Sequence, residues 1–561
     1  MDYKEKYNEW LHSSKIDSAT KQELMYMSEE QQREAFGGSL KFGTAGIRGI
    51  LGAGTNRLNI YQIRKITTGF AHYLLKIKEA NKTVVIAYDN RHMSYKFAIE
   101  TAKTLATYGI KSYIFESLRP TPELSFAVRY LGCIAGIMVT ASHNPKEYNG
   151  YKVYNRAGCQ MLPFETLKIS DFINRIQNEL DLEIFSYEKA EPYITWIGKE
   201  VDDAYYKAVQ ELQFKPRIEK SNFKIVFSPS HGAANVPVRK ILEDEGYDVI
   251  PVLAQCMPDP DYTNTVSPNP ESKDSFILAL KKAKEVNADM IIVTDPDGDR
   301  FGLAIKHKGE YVLLNGNQSA AVLLEYVLTR KKKKGLLPEN GVVFSTIVSS
   351  DLTDYIAKDY DVSVEKTLTG FKYMANKITE YEKTNEKEFI FGYEESFGCM
   401  YKKFVRDKDA VQAALLAAEA GVYFRSYGRT FVDVLNDLYK KHGYFEDSLI
   451  SIYKEGIDGA QEISNIMSGL RKENLKNIGV LKVEKIDDYQ KMRNSLGEKL
   501  DFPAENVLKY YLEDGSWIAV RPSGTEPKCK FYFCVKGKDA QDAEEKTLML
   551  KENILAIIGE K

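Results

Sequence analysis

Short runs of apolar, strand-prone residues recur along this chain, each followed by a stretch with helical periodicity, and the alternation starts three times. The first round predicts a strand at Thr83 to Tyr88, a helix at Tyr95 to Tyr108 and a strand at Lys111 to Phe115. A helix after Pro122 and a strand at Ile134 to Val139 complete it. The second predicts strands at Phe223 to Phe227, Asp248 to Val252 and Asp289 to Val293, with helices near Val236 to Glu245 and around Ser272 to Val286. The third predicts strands at Val342 to Ile347, Asp361 to Glu365 and Glu388 to Phe391, with helices near Leu352 to Lys358 and Phe371 to Tyr381. Strands alternating with helices call for βαβ units and mainly parallel sheets. The tail differs: strands near Val480 to Val483, Val507 to Leu512, Trp517 to Val520 and Lys530 to Val535 precede a helix at Ala540 to Ile558, an α+β order.

The expectation is therefore an α/β protein: three similar α/β domains with mixed, mainly parallel sheets, plus a C-terminal α+β domain, around a central cleft. The boundaries are placed at 1–200, 201–312, 313–445 and 446–561. The length of 561 residues suits about four domains of ~150 residues each. With 43% hydrophobic and 28% charged residues the composition is that of an ordinary globular protein. A net charge of −2 provides no global basic field for nucleic acid or an anionic membrane, so any phosphate handling must be local. No apolar run approaches the ~20 residues a bilayer crossing needs. The start lacks the pattern of a secretory signal, and the six cysteines form no C-x-x-C pair, so reduced thiols in a cytoplasmic protein are expected.

In each round a polar motif falls just after the last strand, where open α/β sheets bind ligands. The first is Thr140-Ala141-Ser142-His143-Asn144-Pro145, with a hydroxyl able to carry a phosphoryl group; its plain alternative is a strand-ending turn. His143, directly adjacent in sequence, is expected to shape the loop and to be poorly placed to reach the Ser142 hydroxyl. Lys152 downstream is a candidate acid, base or phosphate contact, or else a surface lysine. The second motif is Asp295-Pro296-Asp297-Gly298-Asp299-Arg300. Three aspartates in five residues repel one another unless a cation sits among them, and hard divalent cations prefer oxygen ligands. An EF-hand is excluded, because its glycine and glutamate positions hold Arg300 and Lys306. An aspartyl-nucleophile phosphatase, with Asp295 attacking, stays open. The third, Gly392-Tyr393-Glu394-Glu395-Ser396-Phe397-Gly398, offers carboxylates and a hydroxyl to sugar hydroxyls, or is an acidic loop. In the tail, Arg521-Pro522-Ser523-Gly524-Thr525-Glu526-Pro527 combines a guanidinium, two hydroxyls and a glycine, a set suited to a phosphate dianion. The Gly43 to Gly49 stretch matches neither common nucleotide-binding glycine spacing, and Arg406-Asp407-Lys408-Asp409 could reach phosphate or open a helix.

These four motifs, in this order, resemble those of the α-D-phosphohexomutase superfamily, the phosphoglucomutases and phosphomannomutases, over essentially the full length. The resemblance implies four domains, each giving a loop to one cleft. It implies that Ser142 is phosphorylated, and that Ser142, Asp295, Asp297 and Asp299 surround one Mg²⁺. Lys152, Arg300 and Lys408 would lie near the transferred group. Glu394 and Ser396 would contact the sugar, and Arg521, Ser523, Gly524 and Thr525 would hold the phosphate already on it. Thr44, Arg48, His143, Thr369 and Gly370 match further substrate-side positions. The implied reaction passes through a sugar 1,6-bisphosphate, in a monomer or homodimer acting on a small hexose phosphate. The Glu-Glu-Ser loop is similar to that of phosphoglucomutases, whereas Gly398 stands where the dual-specificity phosphomannomutases carry histidine. Glucose 1-phosphate and glucose 6-phosphate are thus the expected substrates, ahead of mannose and pentose phosphates. A non-catalytic sugar-phosphate-binding protein is the remaining rival.

Overall fold

The computed structural model describes residues 2–560 apart from 45, 80, 216–217, 221, 455–458 and 524–527. The chain divides into two compact units. The first comprises Met1–Leu314, Phe371–Phe389 and Ser396–Tyr427, and the second Asn315–Gly370, Ile390–Glu395 and Gly428–Lys561.

The first unit holds two mixed sheets. One runs in the order Ile47–Ile50, Tyr148–Asn155, Ala135–Val139, Thr83–Tyr88, Lys111–Phe115, Ile194–Ile197. The last four are mutually parallel, and the first two pair antiparallel. The other runs Glu310–Leu314, Phe301–His307, Met290–Thr294, Lys224–Ser228, Asp248–Pro251. Its three Val/Ile-rich strands are parallel, with an antiparallel hairpin added at one edge. Ala135–Val139 and Met290–Thr294 are buried at every residue. Central parallel strands covered on both faces read as continuous apolar runs, so both were visible in the sequence. Mixed sheets were expected, but these particular antiparallel strands were not placed. Tyr148–Asn155 carries two asparagines and a glycine in eight residues and reads as loop until its neighbour supplies the ladder. Three short helices, Tyr3–His12, Ser18–Met25 and Glu29–Phe36, were also unforeseen; Trp10, Leu24 and Phe36 close a small core against Tyr61.

In the second unit Ser363–Thr367, Gly341–Thr346 and residues 390–394 of the strand Glu388–Glu394 follow one another across a sheet, the first two parallel. The strand expected to stop at Phe391 continues to Glu394, because Tyr393 is wholly buried with its hydroxyl bonded to Thr353 Oγ1 (2.8 Å) and Ser350 O (3.1 Å). The lysine run 331–334 ends the helix Gly316–Lys333, where positive charge favours the helix C-terminus. The tail is an antiparallel sheet ordered Tyr444–Tyr453, Lys528–Gly537, Trp517–Pro522, Leu508–Leu512, Leu481–Asp488, Asn477–Ile478. The helices Gly459–Lys472 and Ala540–Ile557 share its core through Ile463, Met467, Leu550 and Ile554. This is the α+β organisation expected for the tail. All six cysteines are buried and free, and among the described residues no helix is long and apolar enough to cross a membrane.

Candidate active site

The strands Ala135–Val139 and Met290–Thr294, in separate sheets of the first unit, deliver their following loops to one place. Ser142 Oγ lies 3.0 Å from Asp295 Oδ2, with both residues buried. Ser142 adopts a left-handed backbone (φ 52°), and its N–H donates to Thr140 Oγ1 at 2.8 Å. That tight turn also brings His143 Nδ1 to 3.2 Å from Ser142 Oγ. The expectation that an adjacent histidine would be out of reach is therefore corrected: positive φ folds the two side chains to the same side.

Asp295, Asp297 and Asp299 are each almost fully buried, and their ligand atoms lie within 4.8 Å of one another. Gly298, at φ 64°, allows the tight reversal between them. Asp295 Oδ1 accepts the backbone N–H groups of Asp299 (3.1 Å) and Arg300 (3.0 Å). Asp297 Oδ2 accepts Thr121 Oγ1 at 2.9 Å and Lys152 Nζ at 2.8 Å. Lys152 reaches it from the strand Tyr148–Asn155, and its Nζ also lies 3.6 Å from Asp299 Oδ2. Lys408 Nζ approaches the same Asp299 oxygen at 3.2 Å and Asp407 Oδ1 at 3.4 Å. Two ammonium groups thus converge on three carboxylates.

The electrostatics are those of a cation site. Burial, reinforced by Asp297 and Asp299, pushes the Asp295 carboxyl well above the usual range. Burial also opposes ionisation of Asp297, but the Lys152 ammonium and the bonds it receives outweigh that and hold it below the usual range. Asp297 Oδ1 and Asp299 Oδ1 are buried without a hydrogen-bond partner. Unsatisfied buried carboxylate oxygens are costly, and a hard divalent cation satisfies several at once. The residues present therefore fit a metal ion.

The other expected residues divide between the units. In the first, Arg48 Nη1 donates to Asn144 Oδ1 in the serine loop at 2.7 Å, and Thr44 O accepts Lys372 Nζ at 2.7 Å. Arg300 stands beside Asp299, with its Nε 3.7 Å from Oδ1, but its Nη1 is committed to Glu271. Ser396 is half-buried in the first unit. In the second, Glu394 Oε1 accepts the Gly370 N–H at 2.8 Å, joining the Thr369–Gly370 turn to the carboxylate loop. Gly370, at φ 119°, occupies a conformation that favours glycine. Glu395 instead turns to Thr346 Oγ1 (2.8 Å) and Ser349 Oγ (3.2 Å). Arg521 and Ser523 are half-buried at the end of Trp517–Pro522, while Gly524 and Thr525 lie outside the described residues. Sequence reasoning missed Thr121, which opens the helix Thr121–Tyr130 and bonds Asp297 through both its N–H and its hydroxyl. It named Asp407 only within the 406–409 run and gave it no role of its own, whereas Tyr154 Oη holds it at 2.8 Å. A threonine at a helix start and an acid beside a lysine are too common to stand out without the fold.

Comparisons with known proteins agree over most of the chain. Four family models match: phosphoglucomutase/phosphomannomutase alpha/beta/alpha domain I over residues 39–180, domain II over 203–309, domain III over 315–442, and the C-terminal domain over 472–551. A Staphylococcus epidermidis phosphoglucomutase is 40% identical over 513 residues, covering 90% of this chain and 92% of its own. A Staphylococcus aureus phosphoglucomutase is 38% identical over 537 residues, covering 94% and 96%. Among solved structures, a phosphoglucomutase/phosphomannomutase family protein from Burkholderia thailandensis superposes with a TM-score of 0.68 at 17% identity, covering 92% of this chain and 97% of its own. The open form of the Paramecium phosphoprotein pp63/parafusin gives 0.65 at 18%, covering 93% and 96%, which speaks for the fold.

Proposed function

Because the chain belongs to the phosphoglucomutase/phosphomannomutase family, we propose that it interconverts glucose 1-phosphate and glucose 6-phosphate, with Ser142 as the phosphoryl carrier. The observation that carries this reading is the 3.0 Å approach of Ser142 Oγ to Asp295 inside a buried three-aspartate cluster flanked by two lysines. A hydroxyl that only bound sugar would not need such surroundings.

In the first half-reaction the bond between phosphorus and Ser142 Oγ breaks. A bond to a free hydroxyl of the sugar monophosphate forms, and the proton that hydroxyl loses is balanced by the one the departing Ser142 Oγ takes up. The resulting 1,6-bisphosphate turns end for end, and its other phosphoryl group passes to Ser142 Oγ, which regenerates the phosphoenzyme. Asp295, Asp297 and Asp299 would hold Mg²⁺ with the serine phosphate, and the bound ion supplies positive charge to the phosphoryl oxygens. Lys152 and Lys408 place two ammonium groups at the same spot, with Arg300 and His143 adjoining. Electrostatic positioning of this kind provides much of the acceleration of phosphoryl transfer. Glu394 and Ser396 are assigned to the sugar hydroxyls. Arg521, Ser523, Gly524 and Thr525 are assigned to the resident phosphate, and Thr44, Arg48, Thr369 and Gly370 to the substrate-side loops. The corresponding working division is 1–200, 201–312, 313–445 and 446–561.

Intact-mass measurement tests the reading: about one phosphate per purified chain, lost on incubation with excess sugar monophosphate and absent from Ser142→Ala, is expected. An aspartyl phosphatase using Asp295 would instead keep its turnover in Ser142→Ala. Catalytic efficiencies on glucose, mannose and ribose 1-phosphates decide the sugar; a tenfold lead for either of the latter two would overturn the choice of glucose.

A further inference from the structure

The turn that follows the strand Thr83–Tyr88 carries Asp89-Asn90-Arg91, at the same end of the sheet as the serine loop. Arg91 is buried, at 3% exposure, yet it forms no part of the cluster around Asp295. Its guanidinium is spent on the serine loop's backbone. Nη2 donates to Ser142 O at 2.6 Å and to Asn144 O at 2.5 Å, while Nη1 donates to Pro145 O at 2.8 Å and to Tyr148 O at 3.0 Å. Asp89 Oδ2 lies 3.4 Å from Arg91 Nε, and the Tyr262 ring covers the guanidinium with its centroid 5.5 Å away. A second thread runs from Asp89 to the same loop, since Asp89 Oδ2 accepts Thr140 Oγ1 at 2.6 Å and Thr140 Oγ1 accepts the Ser142 N–H at 2.8 Å.

A loop of Ser, His, Asn and Pro needs partners for its carbonyls: those of the buried Ser142 and Asn144 would otherwise be orphaned, whereas Pro145 O also accepts the Tyr148 N–H at 3.1 Å. Four of them converge on one planar fork of donors, an arrangement that only arginine offers among the side chains. The loop is thereby tied at both ends and in the middle, and Ser142 is kept at φ 52°, a conformation that L-residues with a side chain seldom adopt. We propose that Arg91 is a positioning residue that fixes the phosphoryl-carrying serine by clamping the carbonyls of residues 142, 144, 145 and 148. It acts through the loop and not on the transferred group, and the inference rests on the reading of Ser142 as phosphoryl carrier.

The test combines hydrogen exchange with kinetics on the full chain. Arg91→Ala should raise amide exchange across 141–149 by about tenfold or more, with the strand Met290–Thr294 unchanged. Turnover should fall about 100-fold, the loss expected from displacing a reacting atom by an ångström, with KM within about threefold. Methylguanidinium should restore part of both, as added solute cannot repair a merely loosened core. Arg91→Lys keeps the charge but loses the fork. It should fall nearly as far, and it serves if the alanine variant fails to fold. Ile110→Ala, a core change in the same sheet's packing, should cost thermal stability while sparing loop exchange and KM alike. Unchanged exchange over 141–149 in both Arg91 variants overturns the proposal, as does raised exchange with wild-type turnover. If the wild type carries no phosphate and turns over nothing, the functional reading fails, while the exchange arm still judges the clamp.

Discussion

Adding one methyl group at Gly398 is a sharp test of how Lys408 is placed. Gly398 lies at the start of the strand Gly398–Met400 with an ordinary backbone conformation, so alanine introduces no dihedral strain there. A Cβ at that position would stand 2.0 Å from Lys408 Cδ, 2.8 Å from Cγ and 3.0 Å from Cε. Carbon atoms in contact sit about 3.5–4.0 Å apart, so the lysine stem must shift by more than an ångström. Its Nζ, 3.2 Å from Asp299 Oδ2, then leaves the carboxylate cluster. Losing one positioned charge or donor from such a site costs about 100- to 1,000-fold in kcat, or ~3–4 kcal/mol of transition-state stabilisation. Folding stability should move little, because replacing glycine gains about 0.4–1 kcal/mol through the unfolded chain, offsetting the lost ion pair. Steady-state kinetics on Gly398→Ala, Lys408→Ala and the double variant form a cycle. The double variant should be no slower than Lys408→Ala, since both changes remove the same ammonium. Wild-type kcat in Gly398→Ala, or losses that simply add, would refute the idea that this glycine exists to make room for that lysine.

Three other outcomes follow from the same geometry. Thr121→Val removes the hydroxyl bonded to Asp297 Oδ2 and should weaken Mg²⁺ binding by about tenfold or more, measured by titration calorimetry; unchanged affinity would show that this bond does not orient the carboxylate. Chelation by EDTA should abolish turnover and added Mg²⁺ restore it, whereas full activity after exhaustive chelation would remove the metal from the account. Lys509, at 3% exposure, has its ammonium pushed down from 10.5 to about 8 by burial. A depressed lysine is destabilising while it is charged, below about pH 8, and the penalty fades as pH rises toward 10.5, where the unfolded chain also deprotonates. The stability difference between Lys509→Met and wild type should therefore shift toward wild type by about 3 kcal/mol between pH 7 and pH 10.5 in urea unfolding; a pH-independent difference would contradict it.

Much of this protein was legible in one dimension because its chemistry is carried by short motifs placed after continuous apolar strands. Ser142 and the three aspartates stand out as candidates, with a strand-ending turn left open for the serine, since a phosphoryl-carrying hydroxyl and a cation cage require particular residue types at fixed local spacing. Strand runs such as Ala135–Val139 are equally plain, because central parallel strands are apolar on both faces. Other features depend on partners far away in the chain. Tyr148–Asn155 becomes a strand only through the ladder offered by its neighbour, and that pairing is what aims Lys152 at Asp297. His143 reaches the Ser142 hydroxyl only because of a positive φ that four carbonyl bonds to Arg91 help to hold. Thr121 meets Asp297 across 176 positions of sequence. Residue type and local spacing state which reaction the chain is equipped for, whereas orientation depends on long-range hydrogen bonds and packing, whose partners no local window contains.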